Sequence, residues 1–344
     1  MGAIRVLFDG WSLVHNPLGS AAWHLRTLLA LNPEGVQPTL ALPMEPSASN
    51  AIAGIETIHH HTHERGEWEQ RLLPRLAEER GAKVIHTTSL GASLLGKVPT
   101  LVSPAETEIA GRGRLGEALG YGGLARAKIL WPEDVPKGKV PGESSTLPPV
   151  VHPEFFLGKA NVPRSLDLPD EFLLVHGLHD QKETLNLLES WTWASASIGE
   201  LYPLLIVGLD EAGREFIKAR LPEYHVQESV FVIGDIQAQD LPSLYRACTA
   251  LVHLGIPAPW GNPLRHALAG GKAIVAHQEA NTESIVSSAA YLISPGDLRG
   301  FGAAMITVVV DEKARQKLEE SAQERAAHWP AAKFRNELLK IYEG

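Results

Sequence analysis

Short runs of β-branched and aliphatic residues alternate along this chain with longer stretches in which apolar positions recur every three or four residues. The first unit shows the pattern clearly: "IRVLF" reads as a strand, "DGWSLVHNPLGS" as a turn-rich loop, and "AAWHLRTLLAL" as an amphipathic helix. "TLALP", "IETIHH" and "AKVIHTT" follow as strands, and "EWEQRLLPRLAEERG" as a helix interrupted or bent at Pro74, whose ring removes a backbone donor. Alternation of this kind predicts a parallel sheet flanked by helices.

From Ser89 to Pro153 the pattern blurs into Gly- and Pro-rich sequence, which predicts an irregular end to a first domain and then a linker. Regularity returns with strand "FLLVHG", helix "ETLNLLESWTWAS", strand "YPLLIVG", helix "AGREFIKARL", strand "VFVIG", helix "DLPSLYRACT", strand "ALVHL", helix "NPLRHALAGG" and strand "AIVAH". That series predicts a second, doubly wound α/β domain. Two helices broken at Pro330 follow. The expected division is a first domain over 1–152, a second over 153–330, and a last helix over about 331–344; no solenoid repeat is visible.

Length and composition agree with two cores. The chain has 344 residues, 44% hydrophobic and 21% charged, with no low-complexity tract, so both halves can bury an interior. Its formal charge of -9, with no basic run, argues against a nucleic-acid partner. Cys248 is the only cysteine, which excludes an internal disulfide and any cysteine cage for a metal. No stretch approaches the roughly 18 continuous apolar residues of a membrane span, and no leader pattern is evident. A cytoplasmic protein is expected, with peripheral attachment at the inner face of a membrane left open.

Open α/β sheets bind ligands beyond the carboxyl ends of their strands, so the loops after the strands carry the candidate chemistry. Gly19 and Ser20 open a helix whose free N–H groups suit an anion, and with no GxGxxG present a glycine that only shapes a turn explains the stretch equally well. Gly177 ends a strand and Lys182 begins the next helix; an ammonium there opposes the helix dipole unless an anion lies between, so a phosphate site competes with a solvated lysine. In "IPAPWGNPLRHALAGGKAIVAH", Asn262 can cap a helix with Pro263 in its first turn, Gly261, Gly270 and Gly271 permit close approach, and His266 either faces a ligand or packs. His59, His60, His61 and His63 beside Glu64 lack HExxH or paired-ligand spacing and read as a polar strand end, so no metal site is expected. Neither a GxSxG elbow nor a Walker A loop is present, and Cys248 lies inside an apparent helix as a core thiol.

From about Phe172 onward the chain resembles the group 1 glycosyl transferases, family 4 of the GT-B glycosyltransferases. The resemblance rests on "FLLVHGLHDQKETLNLLESW", "LLIVG", "VFVIGDIQAQDLPSLYRACTALVHL", "APWGNPLRHALAGGKAIVAH" and "TESIVSSAAYLISPGD", in the family's order. "RVLFDGWSL", "NPLGSAAWHLRTLLAL" and "WEQRLLPRLAEERGAKVIHTTS" extend it into the first half, thinning beyond Ser103. It implies a GT-B fold, two doubly wound Rossmann-like domains facing across a cleft, with a hinge near residues 150–160 and the last helix, around Phe334 to Tyr342, packed back on the first domain.

It also implies a retaining transfer of sugar from a nucleoside-diphosphate sugar to a glycan, lipid or small-molecule acceptor, with no metal or other cofactor. Gly19, Ser20 and Lys182 would hold the diphosphate, Gly177 stands where many members carry an arginine, the stretch from Gly234 to Ile236 would lie near the base, and Asn262 and His266 would line the donor site, His266 near the ribose. The family's E-x7-E pair falls on Ala258 and His266, so neither carboxylate is present; Glu283 matches a glutamate outside that pair. Three readings therefore stay open: an active glycosyltransferase with an altered donor site, a catalytically inactive GT-B homologue acting as a binding or regulatory subunit, and another nucleotide- or sugar-phosphate enzyme on the same architecture. The sequence leaves the acceptor and the oligomeric state undetermined.

Overall fold

The computed structural model describes residues 3–45, 52–106, 113–156, 166, 168–178, 180–234 and 236–344. The chain divides into two compact units. The first comprises Met1–His152, Ala258–Asn262 and Trp329–Gly344; the second comprises Pro153–Pro257 and Pro263–His328.

Among the described residues the first unit is built on seven parallel strands: β1 (Ile4–Asp9), β2 (Val36–Leu42), β3 (Glu56–His59), β4 (Val84–Thr87), β5 (Thr100–Val102), β6 (Lys128–Pro132) and β7 (Glu143–Leu147). Their order is β3-β2-β1-β4-β5-β6-β7. Residues such as Val6, Phe8, Leu25, Leu28 and Leu40 form one core with Phe334, Leu338 and Tyr342 of the final helix Ala331–Glu343. His86 on β4 fastens that helix. Its Nδ1 lies 2.6 Å from the Tyr342 hydroxyl and its Nε2 2.8 Å from the Ser103 hydroxyl, so both ring nitrogens are paired inside the core. Full burial pushes its pKa down to about 3.

Two sequence expectations change here. Residues 89–153 are not an irregular tail, because they supply β5, β6, β7 and the helix Gly113–Leu124. That helix was hidden by its composition, "GRLGEALGYGGL", in which glycine lowers helix propensity. Its glycines serve packing: a Cβ on Gly123 would stand 1.9 Å from the Ala92 carbonyl oxygen. Nor is the helix before β4 broken at Pro74. It runs as Arg65–Glu67, a π-helical turn Trp68–Leu72 and an α-helix Leu73–Glu79, with Pro74 in the first turn of the last piece. Proline lacks the N–H that would serve the carbonyl four residues back, and the Ser93 hydroxyl donates to that Gln70 carbonyl at 3.4 Å.

The second unit has β8 (Leu173–His176), β9 (Leu204–Val207), β10 (Val230–Val232), β11 (Ala250–His253), β12 (Ala273–His277) and β13 (Ala290–Ile293), all parallel among the described residues, in the order β10-β9-β8-β11-β12-β13. β8, β9, β11 and β12 are buried throughout, as expected for strands covered on both faces. Helices Gln181–Ile198 and Leu298–Val310 cover this sheet and share a core around Trp191, Phe301 and Met305. Cys248 follows the helix Leu241–Ala247 rather than lying within it. It is buried, its thiol donates to the Tyr245 carbonyl at 3.3 Å, and burial pushes its pKa up to about 12, which suits an inert core thiol.

Candidate functional site

In each sheet the strand order reverses once, and that is where an α/β sheet opens a crevice at its carboxyl edge. In the second unit the reversal lies between β8 and β11. β8 ends at His176 and passes into Gly177, whose φ of +72° is a left-handed turn that glycine adopts freely. The helix Gln181–Ile198 starts just beyond, capped by Asp180, whose carboxylate accepts the Glu183 N–H at 2.7 Å. Lys182 is exposed in the first turn. Across the crevice β11 leads into Gly255 at φ +78°, where an added Cβ would stand 1.9 Å from a Glu183 carboxylate oxygen. The first turn of the helix after β8 therefore meets the loop after β11, with the Glu183 carboxylate lying on the Gly255 backbone.

Beneath this rim is an aromatic and imidazole cluster. His176 Nδ1 lies 2.7 Å from the Tyr245 hydroxyl. The His266 ring stacks flat on Phe155, with centroids 4.0 Å apart and 2° between planes, and meets Tyr245 edge-on at 5.5 Å. His266 is only 1% exposed, so contact with a ribose would require Phe155 to leave it. Gly234 and Ile236 follow the edge strand β10: Gly234 is exposed beside the Arg214 guanidinium, and Ile236 is buried. Glu283 is exposed in the short helix Thr282–Val286 and pairs with the Gln278 side chain.

In the first unit the reversal lies between β1 and β4. Asp9 ends β1, and its buried carboxylate gathers three donors: the Trp11 N–H at 3.1 Å, the Trp68 indole N–H at 2.8 Å and the Thr87 hydroxyl at 2.8 Å. Glu69, also buried, lines with it a cavity of about 10 Å³, room for about one water. The π-helical turn brings Trp68 and Glu69 to this point, a common use of such turns. His15 stacks on Trp11 at 3.9 Å, and partial burial lowers its pKa. In the sequence Asp9 only opens the candidate loop from Asp9 to Ser20, because a lone aspartate after a strand also reads as a turn residue.

Gly19 and Ser20 open the helix Ser20–Ala30 as expected, and the segment Ala258–Asn262 lies against that opening. Gly261, at φ +62°, sits where a Cβ would come within 2.1 Å of the Ser20 carbonyl oxygen. Trp260 is fully buried, donates its indole N–H to the Leu130 carbonyl at 2.8 Å, and stacks on His24 at 4.7 Å. The Asn262 amide turns back to the Ala258 carbonyl at 2.7 Å, and Ala258 is 5% exposed. Gly19, Ser20, Ala258 and Asn262 thus belong to the first unit, while Gly177, Lys182, Gly234, Ile236 and His266 belong to the second. His61 and His63 pack edge-to-face at 4.8 Å, and among the described residues no group of three or more His, Cys, Asp or Glu could hold a metal ion.

Residues 163–325 match the family model of the glycosyl transferases group 1. That stretch is similar to the group 1 glycosyl transferase domain. Solved structures extend the likeness to the whole chain. Sucrose-phosphate synthase from Thermosynechococcus elongatus is 17% identical over 99% of this chain and 98% of its own, with a TM-score of 0.70. The WaaG glycosyltransferase involved in lipopolysaccharide biosynthesis is 15% identical over 98% and 100%, with a TM-score of 0.73. Anabaena HepE, solved in complex with UDP-glucose, is 11% identical over 99% of both chains, with a TM-score of 0.74. At these identities the likeness establishes the fold, which is GT-B. Comparison with curated proteins finds no match. The matched stretch includes the β8/β11 switch point, the exposed Lys182 and the buried His266.

Proposed function

We propose that this chain is a glycosyltransferase that takes a sugar from a nucleoside-diphosphate donor seated at the β8/β11 switch point and transfers it, with retention, to a glycan, lipid or small-molecule acceptor. The observation that carries the reading is the exposed Lys182 in the first turn of an 18-residue helix, at the carboxyl edge where the strand order of the matched stretch reverses. Departure of the donor's diphosphate develops negative charge. A helix N-terminus and an ammonium fixed beside it stabilise that charge most as it forms, which is catalysis by preorganised electrostatics. Gly177, lacking a side chain, leaves the backbone open to the phosphates. UDP-glucose is the donor to try first, because HepE was solved with it.

Calorimetry against UDP, GDP, ADP and their glucose and mannose conjugates tests the reading. One nucleotide should bind below about a millimolar. Lys182→Ala should weaken that binding roughly 10- to 100-fold, the equivalent of ~1.5–3 kcal/mol for a hydrogen bond to a charged group. Unchanged affinity in the variant would remove Lys182 from the site.

One observation favours a second reading, a catalytically silent binding or regulatory subunit. The two positions of the family's carboxylate pair hold Ala258, buried in the first unit, and His266, buried under Phe155. Restoring the glutamates separates the readings. Ala258→Glu and His266→Glu each place a carboxylate in a packed interior, and desolvation costs several kcal/mol per ion. Each is therefore expected to lower the unfolding temperature without raising nucleotide affinity. A stable double variant with tighter donor binding would show instead a site merely eroded, and would restore the enzymatic reading in its simplest form.

A further inference from the structure

Along the carboxyl edge of the second sheet three neighbouring strands each lead to a glycine: β8 to Gly177, β9 to Gly208 and β10, through Ile233, to Gly234. The three ends are joined. The Gly177 N–H donates to the Val207 carbonyl at 2.9 Å and the Ile233 N–H to the Ile206 carbonyl at 3.0 Å. Gly177 and Gly208 have φ of +72° and +78°, where glycine is at ease, but Gly234 lies outside the left-handed region, so its backbone makes no demand for glycine. What a side chain at Gly234 would meet is the Arg214 guanidinium, since a Cβ there would stand 3.0 Å from Nε and 3.1 Å from Cζ. With neighbouring strands about 4.8 Å apart, the three glycines form a strip about 10 Å long that carries no side chain of its own.

A cation stands at each end of the strip: Lys182 beside β8 and Arg214, on the helix Glu211–Arg220, beside β10. On the other side of the switch point the Glu183 carboxylate lies on Gly255, which makes that direction unfavourable for a phosphate-bearing ligand. A nucleotide whose diphosphate meets Lys182 therefore extends along the glycines toward Arg214. That guanidinium is partly buried and held by its Nη1, which donates to the Leu209 carbonyl at 2.9 Å. Among the described residues no carboxylate pairs with it, so its other N–H donors are not committed to an ion pair. Arginine presents paired donors in a planar fork, which match the O6 and N7 acceptors of guanine. Adenine sets a donor beside its N7, and uracil has no N7 at all.

We propose that Arg214 reads the base of the donor nucleotide and that this base is guanine. The inference rests on the reading of the β8/β11 switch point as a nucleotide-sugar site, and it ranks a guanine nucleotide above the uridine one found in HepE. Calorimetry of the full chain against GDP, UDP, ADP and inorganic pyrophosphate tests the two separately. GDP is expected to bind most tightly. Arg214→Ala should weaken GDP roughly tenfold or more, level the three nucleotides and leave pyrophosphate unchanged, whereas Lys182→Ala should weaken all four. Arg214→Lys keeps the charge without the fork and should not restore the preference. Gly234→Ala leaves the arginine in the chain but pushes its guanidinium aside, and should reproduce the loss. Circular dichroism and unfolding temperature confirm that the variants fold. GDP binding no tighter than UDP or ADP, or a GDP preference that survives Arg214→Ala, would overturn the assignment to Arg214 while the nucleotide reading stands. Failure of all four ligands to bind would overturn both.

Discussion

Trp260→Ala is expected to lower the unfolding temperature by roughly 6–20 °C. Removing a buried tryptophan costs about 3–5 kcal/mol through lost burial and the cavity left behind, and each kcal/mol is worth about 2–4 °C in a domain of 150–250 residues. The site leaves little room for relaxation. The ring is fully buried, stacks on His24, meets Phe334 at 6.2 Å, and gives the Leu130 carbonyl its donor. Trp260→Phe keeps most of the packing but leaves that carbonyl short of a partner, so a smaller loss of about 1–3 kcal/mol is expected. Differential scanning calorimetry of the two variants decides the matter. A shift below about 2 °C in the alanine variant would mean that the segment Ala258–Asn262 is held by something other than its tryptophan. The segment includes the first of the two family carboxylate positions, so the anchor also fixes where Ala258 stands.

The sequence reveals elements more readily than it reveals what they meet. Runs such as "LLIVG" and "ALVHL" announce buried parallel strands because every residue in them is apolar or nearly so, and the spacing in "ETLNLLESWTWAS" announces a helix. Lys182 at a helix start is equally legible, since its position opposes the dipole. Contacts between distant residues are not. Asp9 draws its side-chain donors from 59 and 78 residues away, and Trp260 reaches a carbonyl 130 residues before it. Composition can also conceal an element, as in the helix Gly113–Leu124, where glycines needed for close packing weaken the very periodicity that would mark it. His266 shows the ambiguity most sharply. One turn into a helix it suits a ligand or a core equally, and only the flat stack on Phe155 shows it packed in the core.

The second large effect is acid instability that begins in the histidine range. His86, by full burial, and His152, by burial and then by the nearby Arg26 charge, are pushed down from 6.5 to about 3 and about 4. Both are neutral in the folded protein at pH values where the unfolded chain takes up protons, so between about pH 6.5 and pH 4 the unfolded chain binds up to two more. The stability is therefore fully present above about 6.5 and declines as pH falls, by up to ~1.4 kcal/mol per pH unit for each group. Over that window the two together remove on the order of 5 kcal/mol, comparable with the whole stability of many domains. His15 and His277, both lowered first by burial, act in the same direction. Glu319, raised by burial, acts in the opposite one, but it is a single, only partly buried carboxyl. Urea unfolding followed across this range should show the midpoint dropping well before ordinary carboxylates begin to protonate. His152→Asn should halve the slope and is the cleaner variant, because His86 holds Tyr342 and Ser103 together and its replacement loosens the final helix as well. A midpoint that stays flat down to about pH 5 would mean that water or movement lets both imidazoles protonate in place, and the core around β4 would then have to be far less closed than its hydrogen bonds describe.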